Sequence, residues 1–131
     1  HGDLINELHL KNLMAIVKAN KWTTFALWTK RKKVIKEYFN KHEKPENLIL
    51  VYSNPLINKV IEAKDKPIYF DKVFNNVDKD TLKNRQNCTG QQCITCRRCY
   101  IKSNDNTIIE AVKTNGRPKS LPKITVIRKA V

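Results

Sequence analysis

The run LILVY at positions 48–52 is apolar at every residue, a pattern a β-strand carries when both of its faces are buried. This stretch sets the folding problem, because a sheet buried on two sides needs covering elements on each. Candidates for those elements alternate with strands along the first half of the chain. Residues 4–19 place Leu10, Leu13, Met14 and Val17 at the i, i+3, i+4, i+7 spacing of one buried helical face. TTFALW at 23–28, dense in β-branched and aromatic residues, predicts a strand. Val34, Ile35, Tyr38 and Phe39 form the apolar stripe of a basic helix over 31–42. PLINKVIEA at 55–63 opens on Pro55, which suits a first helical turn, and carries Ile57, Val60 and Ile61 on one side. IYFDKVF at 68–74 predicts a third strand.

Short helices alternating with short strands predict an α/β fold built on a parallel sheet, either partly barrel-like or open. The alternation stops after Phe74. A polar stretch, NNVDKDTLKNRQN, leads into CTGQQCITCRRC at 88–99, and beyond it the pattern predicts a short helix near 107–113 and a strand, KITVIR, at 123–128. The expected organisation is an α/β region over 1–80 and a metal-binding region over 81–131 with a C-terminal helix and strand. The opening HGDL resembles a strand-to-helix loop whose strand is not in the sequence, so a missing N-terminal region or partner chain is expected.

All four cysteines of the chain, Cys88, Cys93, Cys96 and Cys99, fall in twelve consecutive positions with the spacing C-x4-C-x2-C-x2-C. Disulfides between such close neighbours would close tight, strained loops. Nothing suggests an oxidising compartment either, because the first apolar stretch is interrupted by Glu7, His9 and Lys11, unlike a secretory signal. The default compartment is a reducing cytoplasm. Zinc takes four tetrahedral thiolates, usually from two separate C-x2-C knuckles. An iron–sulfur cubane is larger than one ion, so a single loop with repeated x2 spacings can reach its separate iron corners. A [4Fe–4S] cluster is therefore preferred to zinc, and zinc to a disulfide. Gly90 permits a positive φ, and Thr89 and Thr95 can donate hydroxyl hydrogen bonds within the loop.

The net charge of +14 points toward polyanions such as nucleic acid, or toward an acidic partner. Four thiolates around a dication carry about −2, so Arg97 and Arg98, between the last two cysteines, can offset the site itself. KRKK at 30–33 can grip phosphate near a helix start, although a solvated face is the commoner use of such a run. Trp22, Trp28, Tyr52 and Phe70 can stack bases, but at strand positions they are assigned to the core. His1–Asp3, Thr29–Lys30 and Ser53–Asn54 would stand at the carboxyl ends of strands, where parallel sheets bind ligands; the alternative for Asp3 and Asn54 is helix capping, which is preferred for Asn54, while Thr29–Lys30 stays open between the two roles. No apolar run approaches the roughly 18 residues of a membrane span.

Taken together, HGDLINELHLKNLMAIVKAN, FALWTKR, NLILVYSNPLIN, DKVF and NCTGQQCITCRRCY resemble the phage gene product 88 family and, more distantly, radical S-adenosylmethionine enzymes with an auxiliary cluster. The resemblance covers about residues 1–102. It implies a partial α/β barrel followed by an iron–sulfur site, encoded by a phage or mobile element and acting in the bacterial host cytoplasm. It also implies a further cysteine-rich stretch upstream of His1, so that the chain would be the C-terminal part of a radical-type enzyme. Whether it is an enzyme is left open by the residues. The alternative function is a zinc-stabilised nucleic-acid-binding module.

Overall fold

The computed structural model describes residues 3–78, 83–103 and 105–111. Helix α1 (Glu7–Ala19) leads to strand β1 (Phe25–Thr29), helix α2 (Lys32–Phe39) and strand β2 (Leu48–Ser53). Strand β3 (Lys72–Val77), a single helical turn α3 (Cys93–Cys96) and strand β4 (Thr107–Ala111) follow, with 3-10 turns at Ala63–Asp65, Lys83–Arg85 and Arg98–Tyr100. The four strands form one sheet in the order β1-β2-β3-β4, and every neighbouring pair is parallel. The fold is α/β, as the alternation predicts.

Strand alternation sorts the side chains onto two faces. Leu27 of β1, Leu48, Leu50 and Tyr52 of β2, and Val73 of β3 pack with Leu10, Met14 and Val17 of α1 and Ile35, Tyr38 and Phe39 of α2. The opposite face carries Trp28, Ile49, Val51, Lys72, Phe74 and Ile108. Of these, Ile49, Val51 and Ile108 are fully buried although neither helix lies on that side. Their cover is the cysteine segment, whose Arg98–Tyr100 turn meets β1 and β2 and whose Tyr100 ring stands edge-on to Trp28 at 5.3 Å. The sheet is thus enclosed between two helices and a loop.

Three elements differ from the sequence expectation. Residues 55–63 form no helix. Asn54 and Asn75 take over the hydrogen bonding there: Asn54 Oδ1 accepts from Leu56 N at 3.0 Å, and the buried Asn75 side chain accepts from Ile61 N at 2.9 Å and donates to Ile61 O at 3.1 Å. Asn58, at φ 65°, turns the chain out of a helical path so that its N–H reaches Asn76 O at 3.0 Å. Strand β3 starts at Lys72 and not at 68, because Tyr69 has φ 72° and Asp71 turns its carboxylate onto Leu50 N at 2.8 Å. The predicted helix at 107–113 is strand β4. TIIEA is rich in β-branched residues, and Ile108 and Ile109 are buried on opposite faces, which a helix of that length could not achieve. The predicted strand 123–128 lies outside the described residues.

Asp3 ties the start of the chain to the end of β1. Its carboxylate accepts from Thr29 Oγ1, from Lys30 N at 2.8 Å and from Leu4 N at 2.7 Å. Burial pushes the Asp3 pKa up, but these donors together outweigh it and hold the group below its ordinary value of 3.8. A depressed carboxylate pKa stabilises the fold above the unfolded value and loses that stabilisation as pH falls through the folded one. Asp3→Asn should therefore lower stability by about 1 kcal/mol at neutral pH, a figure that allows for solvent screening. The gap between the two proteins in urea titrations should close as pH is lowered below about 4.

Candidate metal centre

The cysteine segment reaches the sheet in two steps. Asn87 and Cys88 first run along the outer edge of β4, where both backbone amides donate to Ile109 O at 3.1 and 3.0 Å and Cys88 bridges in parallel to Glu110. Asn87 Oδ1 accepts from Ile109 N at 2.8 Å, so its side chain completes the pairing. The chain then turns at Gly90, at φ 81°, a left-handed value that costs a residue without Cβ nothing. Helical turn α3 carries Cys93 and Cys96 and stops at Arg97, also left-handed at φ 56°. The next turn presents Cys99 and Tyr100 to the sheet.

This path brings all four sulphurs to one cavity of about 240 Å³. Its floor is apolar, formed by Trp28, Phe74 and Ile108 from three different strands, and Glu110 stands at its edge. None of the cysteines is in a disulfide; Cys93 is exposed, while Cys88, Cys96 and Cys99 are partly buried. The expected ligand set is therefore gathered around one space. It is not drawn onto one point: among the described residues, no three His, Cys, Asp or Glu side chains converge as the ligands of a single ion do. Four soft thiols are suitable ligands for zinc or for an iron–sulfur cluster.

Local contacts hold the loop in this shape. Gln91 Oε1 accepts from Thr89 N at 2.6 Å and from Thr89 Oγ1 at 2.9 Å, and its Nε2 approaches Cys96 Sγ at 3.5 Å. Without metal, Cys88 and Cys99 resist ionisation. Burial, with Glu110 and the neighbouring thiols adding to it, raises the Cys88 pKa. For Cys99, burial and the other thiols push the value up to about 11, against a partial offset from Lys72. Metal loading must therefore displace protons, and it removes the thiols' mutual repulsion.

The cationic surroundings differ from those the sequence suggests. Arg97 and Arg98 both line the cavity, but Arg98 pairs with Asp105 at 3.1 Å and Arg97 donates from Nε to Ile94 O at 3.2 Å. A buried cation that sequence reasoning passed over, Lys72, lies on the same face of the sheet and donates to Ser103, Asp105 and Asn106. A signal for it exists: in IYFDKVF, Lys72 shares the strand period with Phe70 and Phe74, a position that calls for an apolar residue.

The other predicted residues lie elsewhere. Thr29 and Lys30 meet Asp3 as a structural cap, and Asn54 is buried among hydrogen bonds. Tyr52 and Phe70 are core, but Trp22 is fully exposed and not a core residue. Trp28 is shared between sheet and cavity. The cysteine loop lies across a face of the sheet, not at the carboxyl ends of its strands.

The family model described as Gene product 88 matches residues 1–102, through the cysteine loop and just past it. The chain belongs to the gene product 88 family. No curated protein and no solved structure matches it significantly. In this gene product 88 chain, no helix among the described residues is long and apolar enough to cross a membrane.

The burial pattern orders the reactivity of the thiols. In metal-free protein at pH 8, limited alkylation should modify the exposed Cys93 first and Cys99, buried and with a raised pKa, last, since the thiolate is the nucleophile. Peptide mass spectrometry over a time course reads that order directly, and equal rates at all four would contradict this geometry.

Proposed function

We propose that Cys88, Cys93, Cys96 and Cys99 hold one [4Fe–4S] cluster on the face of the sheet and that the protein serves in electron transfer or as the auxiliary-cluster part of a larger radical-type enzyme. The observation that supports this reading is the gathering of all four cysteines around one cavity of about 240 Å³. When bound, the cluster would supply a one-electron redox centre whose potential depends on net charge, hydrogen bonds to sulphur and solvent exposure.

The chain's own residues suit that role. Trp28, Phe74 and Ile108 exclude water from the inner side, which strengthens electrostatic effects at the sulphurs. Cys93 opens to solvent on the outer side, giving electrons a short path between the site and a partner. Gln91 Nε2 at Cys96 would draw charge from the thiolate and favour the reduced state. A second cluster would need other ligands, because residues 1–131 contain no cysteine outside this loop.

A zinc-stabilised nucleic-acid module is the competing reading, supported by the +14 charge and by the fully exposed Trp22. Against one continuous binding stripe, exposed basic residues lie on both sides of the sheet, with Lys11, Lys18, Lys32 and Lys33 on the helical side and Arg97 and Lys102 on the loop side.

Protein purified without oxygen should be brown, with a broad absorption band bleached by dithionite and iron and sulfide near four each per chain. Replacing Cys88, Cys96 or Cys99 with serine should cut cluster content at least severalfold. A colourless protein with one tightly held zinc that binds duplex or single-stranded DNA with a steep salt dependence would transfer the reading to the nucleic-acid module.

A further inference from the structure

A second, more open pocket of about 650 Å³ lies against the cysteine segment, lined by Thr24, Cys93, Ile94, Arg97, Tyr100 and Ile101. Cys93, Arg97 and Tyr100 line the inner cavity as well, so a single layer of side chains separates the two spaces. Ile94, Tyr100 and Ile101 are exposed. Single apolar residues on a surface need no explanation, but three that face one pocket mark a place where another molecule packs. The local fold does not call for them, because backbone bonds from Cys96 N to Gln92 O at 2.9 Å and from Arg97 N to Cys93 O at 2.8 Å close the helical turn.

Charge selects the occupant. Arg97 is the charged residue of the lining, and among the described residues no Asp or Glu joins it there. Exposed Lys102 follows Ile101, and exposed Lys21 precedes Thr24 by three positions. Asp105, four positions beyond Ile101, is paired with Arg98. A second copy of this chain would set Arg97 and a net charge of +14 against the same, an arrangement that like-charge repulsion opposes. A nucleic acid would meet the charge but not the apolar surface, since two of its three exposed side chains, Ile94 and Ile101, offer bases no ring to stack on. A partner protein with an apolar contact and a rim of carboxylates meets both.

Resting on the cluster reading above, we infer that this pocket is the docking site of a small acidic protein that carries one electron. The shared wall places such a partner one side chain from the cysteine site, at Cys93. The exchange is a single electron passing between the partner's centre and the cluster: one is oxidised as the other is reduced, and no bond is made or broken. Encounters of this kind bury little surface, which suits an open pocket with three apolar side chains. Arg97, Lys21 and Lys102 steer the approach of the acidic partner.

Two acidic one-electron carriers, a ferredoxin and a flavodoxin, serve as probes, and their binding to the full chain is measured by calorimetry. The measurement is made on metal-free reduced protein and again after assembly with iron and sulfide. At least one carrier should bind the parent at low salt, and its affinity should fall as ionic strength rises from about 0.01 to 0.15 M and the Debye length shrinks from about 30 to 8 Å. Ile94→Asp and Ile101→Asp, both at exposed positions and checked for folding by circular dichroism, should each raise the dissociation constant at least tenfold, about 1.4 kcal/mol. Lys102→Glu should weaken binding and flatten its salt dependence, whereas Leu8→Asp, which adds the same charge at an exposed position on α1, should stay within threefold of the parent. Absence of binding by either carrier at low salt would overturn the inference, as would equal weakening by Leu8→Asp, which would reduce the effect to overall charge. Single-stranded DNA bound in their place, and lost in Ile94→Asp and Ile101→Asp, would assign the pocket to nucleic acid and also overturn it. Failure of the parent to assemble iron and sulfide, with carrier binding intact, would instead defeat the cluster reading and leave the docking surface standing.

Discussion

The structure turns on the burial of β2 from both sides. Leu48, Leu50 and Tyr52 are covered by the two helices, an arrangement that amphipathic periodicity supports without help. Ile49 and Val51 are equally buried, yet what covers them is a segment with little apolar surface to offer. Ile94 is 77% exposed and Ile101 50% exposed, so the large apolar side chains of the cysteine segment point mostly outward. Its regular structure amounts to one helical turn and two 3-10 turns. Hydrophobic burial alone gives such a loop little reason to stay in place; under the proposed function, ligation of the four thiols by one centre would give it a strong one, because metal binding to a site absent from the unfolded chain is folding energy.

The same arrangement explains the electrostatics. Burial against the apolar floor, with the neighbouring thiols adding to it, pushes the Cys88 and Cys99 thiols upward. A bound metal centre reverses the sign of that problem and leaves a net negative site. On the side of the sulphurs, Gln91 Nε2 approaches Cys96 Sγ at 3.5 Å. The wider excess of basic residues is distributed over both sides of the molecule and contributes to the general field more than to the site.

Much of this was legible in the sequence, for reasons that differ by element. Helices α1 and α2 follow from their apolar stripes, and β2 from its unbroken apolar run. The cysteines were visible as a set because no other cysteine competes with them. The 55–63 stretch misled because its periodicity is helical while its hydrogen bonds are claimed by Asn54 and Asn75, two polar residues brought together only by β2–β3 pairing. Strand β4 misled because five residues are too few for a period to show. Lys72 was read as part of a strand without its burial being drawn out, and the placement of the loop on the sheet face depended on Trp28 meeting Tyr100 across more than seventy positions, a contact that no local pattern encodes.

The central proposal is that one polynuclear centre, not a single ion, binds the cysteine loop. Mössbauer spectroscopy of protein assembled without oxygen from sulfide and the iron-57 isotope tests it most directly, because the spectrum reports the nuclearity of bound iron whatever its amount. A four-iron centre in the parent, disappearing in Cys99→Ser, is the predicted result. A spectrum of mononuclear iron in four-thiolate coordination would contradict it, since the thiols would then have closed onto one ion across a cavity that the structure keeps open.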